Sequence, residues 1–380
     1  MQTTQLLTAK RTVALSARTL KAYTLGKRAV SRMPGHIRDR MVSASQGEIK
    51  FGVAADFDNT LVRTDEARRI FSFLNTDESG TIGPLAALAM LGIPYGVISG
   101  NTTEYVEARC TQPLVDHILD SRFKEAIRYI ATYALNGGFI TLFEGNGAQD
   151  LASMREYNEG KQMPEEHAKL LTTAMLSCLR QFILTSKNGH LGKPLKIRSG
   201  GTETLVMSPI FENRVGVQKC ILGVFEKDRE ALIDEIRRFV QRRSPEIFAE
   251  LSIQPGGKHT IDGSMLTLDK TCAGRDFMLR FDCGHLFYLG DSVYVKDGKV
   301  GNDLSMVNNP STTVLAVNQE AHNVPAHENV FWLGSGPDAA NNWMTWLLIE
   351  RANAVINNEP GRTDSVWQIL QYAGLCSSSQ

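Results

Sequence analysis

The sequence has no Cys-x-x-Cys pair, no apolar run long enough to span a bilayer, and no excess of either charge. Its six cysteines stand at 110, 178, 220, 272, 283 and 376. That scatter argues against a zinc site and implies no disulfide framework. Reduced thiols in a cytosol-like compartment are the expectation. The longest uncharged stretch, residues 79–103, is broken by Gly92, Pro94 and Gly96. It reads as a buried helix followed by a buried strand rather than a membrane span. The 41 Lys+Arg balance the 41 Asp+Glu, which argues against a dedicated nucleic-acid binder and excludes an acidic solvating tail. What is present, 380 residues of which 42% are hydrophobic, suffices for two to three soluble domains.

Residues 1–47 stand apart. They carry Lys10, Arg11, Arg18, Lys21, Lys27, Arg28, Arg32, Arg38 and Arg40 against a single acid, Asp39. Three readings fit. A transit-type segment is Arg-rich and acid-poor and would target an organelle. A basic helix would touch an anionic membrane surface or a partner protein. A solvated extension would do neither and leave the protein cytoplasmic.

From Ile49 onward strands and helices alternate. Phe51–Ala55 and Tyr95–Ile98 read as buried strands, Leu85–Leu91 as a helix, and residues 103–134 as helical. Asn136-Gly137-Gly138 and Glu144-Gly145-Asn146-Gly147 bracket a hairpin-like excursion. Strands 286–289, 313–317 and 330–333 follow later, and a helix over 342–356 closes the body. Strands alternating with helices predict an α/β fold with a Rossmann-like parallel sheet. Residues 149–253, with two long helical patterns and several short strands, read as an α+β module inserted into it. The predicted organisation is a basic extension over 1–47, a core of 48–148 and 254–360, the inserted module, and a tail from 361 to 380.

Chemistry concentrates where strands end. Asp56-Phe57-Asp58-Asn59-Thr60 follows the first strand. Acids at i and i+2 beyond a strand sit together at the carboxyl edge of the sheet, where open α/β sheets bind ligands. Their mutual repulsion favours a cation between them, and Mg²⁺ suits carboxylate and phosphate oxygens. Ser99-Gly100 ends the second strand, so a hydroxyl and backbone amides there can take a phosphate oxygen. Lys258 follows Pro255-Gly256-Gly257. Gly290-Asp291 ends another strand, and Gly301-Asn302-Asp303 comes shortly after.

Each element alone is also what an ordinary turn contains. The ordered set resembles the haloacid dehalogenase superfamily of phosphotransferases. The short Asp58–Ser99 interval and the long Ser99–Lys258 interval are similar to the subgroup with a large α/β cap between the second and third motifs. That subgroup includes Cof-type sugar phosphatases, trehalose- and sucrose-phosphate phosphatases, and eukaryotic phosphomannomutase. Asn136-Gly137-Gly138 resembles the hairpin before that cap. Residues 198–201 and 207–210 resemble a phosphomannomutase cap segment.

The resemblance implies an Mg²⁺-dependent phosphatase that hydrolyses a phosphorylated sugar or similar small metabolite. Asp56 would be nucleophile and Asp58 general acid and base. Thr60, Ser99, Gly100 and Lys258 would bind the phosphate. The metal would lie on Asp56, the Asp58 carbonyl, Asp291 and Asp303, with Asn302 in support. Arg198 and Arg214 would reach the substrate from a cap that closes over the site. Three departures stand out. Asn59 replaces a glycine of the first motif. Asp297 competes with Asp303 for the metal. Phe211-Glu212-Asn213-Arg214 stands where phosphomannomutase has Gly-Arg. A phosphosugar mutase and a non-catalytic binding protein on the same fold are the alternatives.

Overall fold

The computed structural model describes residues 6–7, 12–13, 15–62, 82–185, 196–199, 202–205, 211–213, 216–220, 226–256, 260–296, 299–318 and 320–376. The chain divides into two compact units, one of residues 1–154 and 270–380, the other of residues 155–269.

The first unit is built on a seven-stranded sheet. Its strands are β1 (Phe51–Ala55), β2 (Tyr95–Ile98), β3 (Ile130–Ala134), β4 (Phe139–Leu142), β5 (His285–Gly290), β6 (Thr312–Ala316) and β7 (Val330–Trp332). They lie in the order β7-β6-β5-β1-β2-β3-β4, all parallel to their neighbours except β4, which runs antiparallel to β3. This is the α/β Rossmann-like architecture expected. β1, β2 and β5 are buried along their whole length, as strands covered on both faces must be, which is why they read as unbroken apolar runs.

Alternation along the strands splits the burial between two faces. Val53, Ala55, Phe287 and Leu289 join one core with Trp343 and Leu347 of the helix Gly336–Asn358. Gly52 and Gly96 face the other way. A Cβ at either would come within 2.4 or 2.9 Å of the Phe277 ring, so glycine there is what lets the helix Lys270–Arg280 lie close on the sheet.

Residues 16–46, read from sequence as part of a basic extension, form helices α1 (Ala17–Ser31) and α2 (Gly35–Gln46) that belong to this core. Ser16 caps α1 through the Thr19 amide at 3.1 Å. Tyr23, Ala29, Val30, Ile37 and Met41 are buried in the same cluster as Trp343. A Cβ on Gly26 would meet the Asn342 carbonyl oxygen at 2.2 Å. Arg18, Lys21, Lys27, Arg28 and Arg32 lie on the exposed side of these turns. The basic composition is one face of a packed helix pair.

Two further expectations differ from the structure. Residues 130–134 were expected to continue a helix but form β3, buried at every position. A fully buried strand has no polar alternation to distinguish it from a helix. Residues 254–269, expected in the core, belong to the second unit. There Thr260–Met265 pairs antiparallel with Leu251–Gly256 on one side and Gly216–Cys220 on the other. With Phe211–Asn213 these strands make a four-stranded sheet. The helices Glu165–Thr185 and Glu226–Arg243 bury Leu171, Met175, Leu232 and Ile236 with Ile253 and Ile261. Among the described residues no helix is long and apolar enough to cross a membrane.

Candidate active site

Three adjacent parallel strands, β5, β1 and β2, end at one edge. Ala55 pairs with Leu289 on one side and Val97 on the other, so the residues just beyond fall together. The Asp56 amide donates to the Leu289 carbonyl at 2.9 Å. Asp56, Asp291 and Asp303 each place a carboxylate oxygen within 4.8 Å of the others. Asp303 arrives on the short helical segment Asn302–Asn308 and is fully buried. Gly290 makes its approach possible, since a Cβ there would stand 2.5 Å from Asp303 Oδ2.

The cation in this cluster is Lys270, the first residue of the helix Lys270–Arg280. Its Nζ donates to Asp56 Oδ1 at 2.9 Å and Asp303 Oδ1 at 2.6 Å. Only 2% of Lys270 is exposed. Tyr288 of β5 donates to Asp303 Oδ1 at 2.6 Å, and the Ser292 amide donates to Asp303 Oδ2 at 2.9 Å. Lys258, expected in this role, lies outside the described residues. Lys270 carries no turn marker of its own. Its signal is indirect: it opens the helix that leads back to the start of β5, and so begins at the edge where β5 ends.

Among the described residues, three carboxylates and one ammonium leave a formal deficit of two charges in a space that water hardly reaches. Burial pushes the Asp56 carboxyl up to about 8, with Lys270 pulling the other way and Asp303 and Asp291 adding to the push. Burial and Asp303 push Asp291 up to about 6. Burial works against the Lys270 charge, yet Asp303 and Asp56 outweigh it and raise its pKa above the ordinary lysine value. Such a site stabilises either a proton or a divalent cation.

Asp58 stands in a different environment, half-buried and outside that cluster. Asn101 Nδ2 donates to Asp58 Oδ2 at 2.5 Å, and Tyr105 OH donates to Asp58 Oδ1 at 3.2 Å. The Arg109 guanidinium lies 4.3 Å from the Tyr105 ring centroid. Neither Asn101 nor Tyr105 was singled out from sequence; both follow Ser99 on the first turns after β2. Asn101 also donates to Ser99 Oγ through its amide at 3.2 Å and its side chain at 3.1 Å. Both bonds use Ser99 as acceptor and leave its hydroxyl proton free to donate. Gly100 passes beside Asn136, whose Oδ1 would lie 3.1 Å from a Cβ at that position.

The turn after β1 explains the first departure. Asn59 has φ 56°, the left-handed region that glycine adopts freely and asparagine tolerates. Its side chain also bonds to Asp291. Thr60 is fully buried, and its hydroxyl has no hydrogen-bond partner among the described residues. Asn302, expected to support the site through Asp291 or Lys258, is exposed; Ser292 and Asn59 bond to Asp291. Asp297 and Arg214 lie outside the described residues, as does the side chain of Arg198 on the strand Lys196–Ser199.

Solved structures with this architecture include an IMP-bound mutant of Plasmodium falciparum IMP-nucleotidase. It has a TM-score of 0.53 and 11% identity, over 88% of this chain and 80% of that one. An N-terminally truncated form of the same protein gives 0.51 and 11%, over 88% and 83%. Aspergillus fumigatus trehalose-6-phosphate phosphatase gives 0.47 and 12%, over 81% and 96%. No family model and no curated protein matches the chain.

Proposed function

The chain has the haloacid dehalogenase fold, and from that premise we propose that it is an Mg²⁺-dependent phosphatase of a small phosphorylated metabolite. One observation carries the reading. Two aspartates at i and i+2 on a strand end occupy opposite environments, Asp56 against a buried ammonium in an acidic cluster, Asp58 alone on neutral donors. Carboxylates held apart in this way suit different tasks.

Asp56 attacks phosphorus and forms an aspartyl-phosphate while Asp58 gives its proton to the departing alkoxide. Asp58 then takes a proton from water, which attacks the phosphoenzyme and frees Asp56. Proton transfer of this kind contributes about 10²–10⁴-fold. Tyr105 and Asn101 hold Asp58 in one orientation through both steps. Lys270, the Ser99 hydroxyl and the unpartnered Thr60 hydroxyl are the donors for phosphoryl oxygens. Phosphoryl transfer depends chiefly on such positioning and electrostatics.

The donor set fits a divalent ion, which would supply charge neutralisation at the phosphoryl oxygens. Asp56, Asp291 and the Asp58 carbonyl would hold it. Asp303, which accepts from Lys270, Tyr288 and the Ser292 amide, would support that site and brace Lys270. Arg198 and Arg214 of the second unit are proposed to contact the substrate.

The test is phosphate release from a panel of sugar and nucleoside monophosphates with Mg²⁺, IMP included because a protein of this fold is an IMP-nucleotidase. Turnover lost in Asp56→Asn supports the reading, and the preferred substrate identifies the metabolite. No turnover above that variant on any substrate overturns it and moves weight to a mutase.

A further inference from the structure

At the opposite edge of the sheet lies a cleft of about 630 Å³. It is bounded by α2 and by the residues that start three adjacent parallel strands: Lys50 before β1, His285 of β5, and Ser311 before β6. α2 contributes Asp39, Arg40 and Ser43. Strands of five or six residues separate this edge from the one bearing Asp56, a span of about 17–20 Å.

Arg40 is the unusual residue. It is half-buried, and its Nη1 is shielded from solvent with no hydrogen-bond partner among the described residues. The acids near it are already engaged. Asp39 pairs with Arg38 at 3.6 Å, Asp282 pairs with Lys50 at the rim, and Glu48 accepts from the Ser43 hydroxyl at 2.6 Å. His285 is buried, bonded through Nε2 to Thr313 Oγ1 at 2.9 Å. Burial and the nearby Arg40 charge keep it neutral, with its pKa down to about 3. A buried donor left without a partner costs about 1–3 kcal/mol, more for a charged group. The cleft therefore holds the Arg40 guanidinium, one nitrogen of which has no partner among the described residues, with the Ser311 hydroxyl beside it and at the rim an ammonium shared with Asp282.

We propose that this cleft is a second, anion-binding site that takes the phosphate of a small phosphorylated metabolite on Arg40, with Lys50 and Ser311 around it. A planar guanidinium matches phosphate oxygens with paired donors. The volume lies within the range of small-molecule sites, about 300–1,000 Å³. It exceeds what free phosphate fills, so the metabolite's organic part occupies the remainder. The site is independent of the catalytic reading, because it uses none of its residues.

The test is calorimetric titration of the full chain carrying Asp56→Asn, in chelator, with inorganic phosphate, AMP, glucose 6-phosphate and citrate. A phosphate-bearing probe is expected to bind, AMP or glucose 6-phosphate more tightly than phosphate. Arg40→Gln in the same background should weaken binding about tenfold or more, as losing a charge-assisted hydrogen bond does. Lys50→Gln, at an exposed position that does not endanger folding, should weaken it less. The proposal is overturned by no binding of any phosphate-bearing probe at millimolar concentration, by citrate alone binding, or by unchanged binding in Lys50→Gln together with a folded Arg40→Gln.

Discussion

Replacing Lys270 with methionine isolates the electrostatics of the candidate site. Methionine keeps much of the side-chain length and volume while removing the ammonium between Asp56 and Asp303. Three carboxylates then share a buried space with no counter-charge among the described residues. Breaking a buried ion pair by deleting one partner typically costs about 3–5 kcal/mol, and that is the expected loss in urea melts at pH 8 in chelator.

The loss should depend on pH with a definite sign. The Asp56 carboxyl is already raised from 3.8 to about 8 in the folded chain, so between those values the folded state holds more protons than the unfolded one. Its contribution is fully present below 3.8 and is lost as pH rises through about 8. Lys270 opposes this rise, so removing it carries the carboxyl higher still. The variant should recover part of its stability at pH 5, where the cluster takes up protons, and again on adding Mg²⁺ at pH 8. Equal losses at pH 5 and pH 8, or a loss below about 1 kcal/mol at pH 8, would refute the assignment of Lys270 as the internal counter-ion.

Other perturbations test other parts. Gly290→Ala puts a methyl 2.5 Å from Asp303 Oδ2, so turnover should fall about 10²-fold, as misplacement of about 1 Å can cause; a kcat within twofold of wild type contradicts that. Asn59→Val forces a β-branched residue into the left-handed region and should cost about 1–2 kcal/mol in thermal melts beyond the cost of Asn59→Gly, which loses only the bond to Asp291. His285 is held at about 3 against 6.5, so the unfolded state binds the extra proton between those values. Its contribution to stability is present above 6.5 and is lost as pH falls toward 3, at up to about 1.4 kcal/mol per pH unit. The difference between wild type and His285→Gln in urea melts should show that slope, and a flat difference refutes it.

The strand ends were legible because burial on both faces leaves an uninterrupted apolar run, and the residues just past it must serve the edge. That logic reached Asp56, Asp58, Ser99, Asp291 and Asp303. It failed for β3, where Ile130-Ala131-Thr132-Tyr133-Ala134 carries the same apolar signal without chemistry at its end. It failed for α1 because much of the buried face there is Ala22, Gly26 and Ala29, small residues whose value lies in close approach, while the long basic side chains dominate composition. Lys270 was missed for a related reason. A lysine is fully buried only where carboxylates surround it, and those carboxylates come from β1 and from beyond β5. Tyr105 and Asn101 likewise act through a partner more than forty residues back in the chain.

The packing of α1 and α2 against the helix Gly336–Asn358 has a consequence for biosynthesis. The apolar faces of residues 17–46 meet their partners only after about three hundred more residues have left the ribosome. At about 5–20 residues per second this is a wait of roughly 15–60 s. In that interval Tyr23, Val30, Ile37 and Met41 are exposed on a nascent chain whose sheet still lacks β5 and its central pairing with β1. The second unit, continuous in sequence over residues 155–269, can complete its own core during the wait. The first unit closes last. Ribosome-bound intermediates shorter than about 340 residues should therefore engage chaperones through their amino-terminal helices, and truncation of the final helices should leave those same faces as the principal route to aggregation.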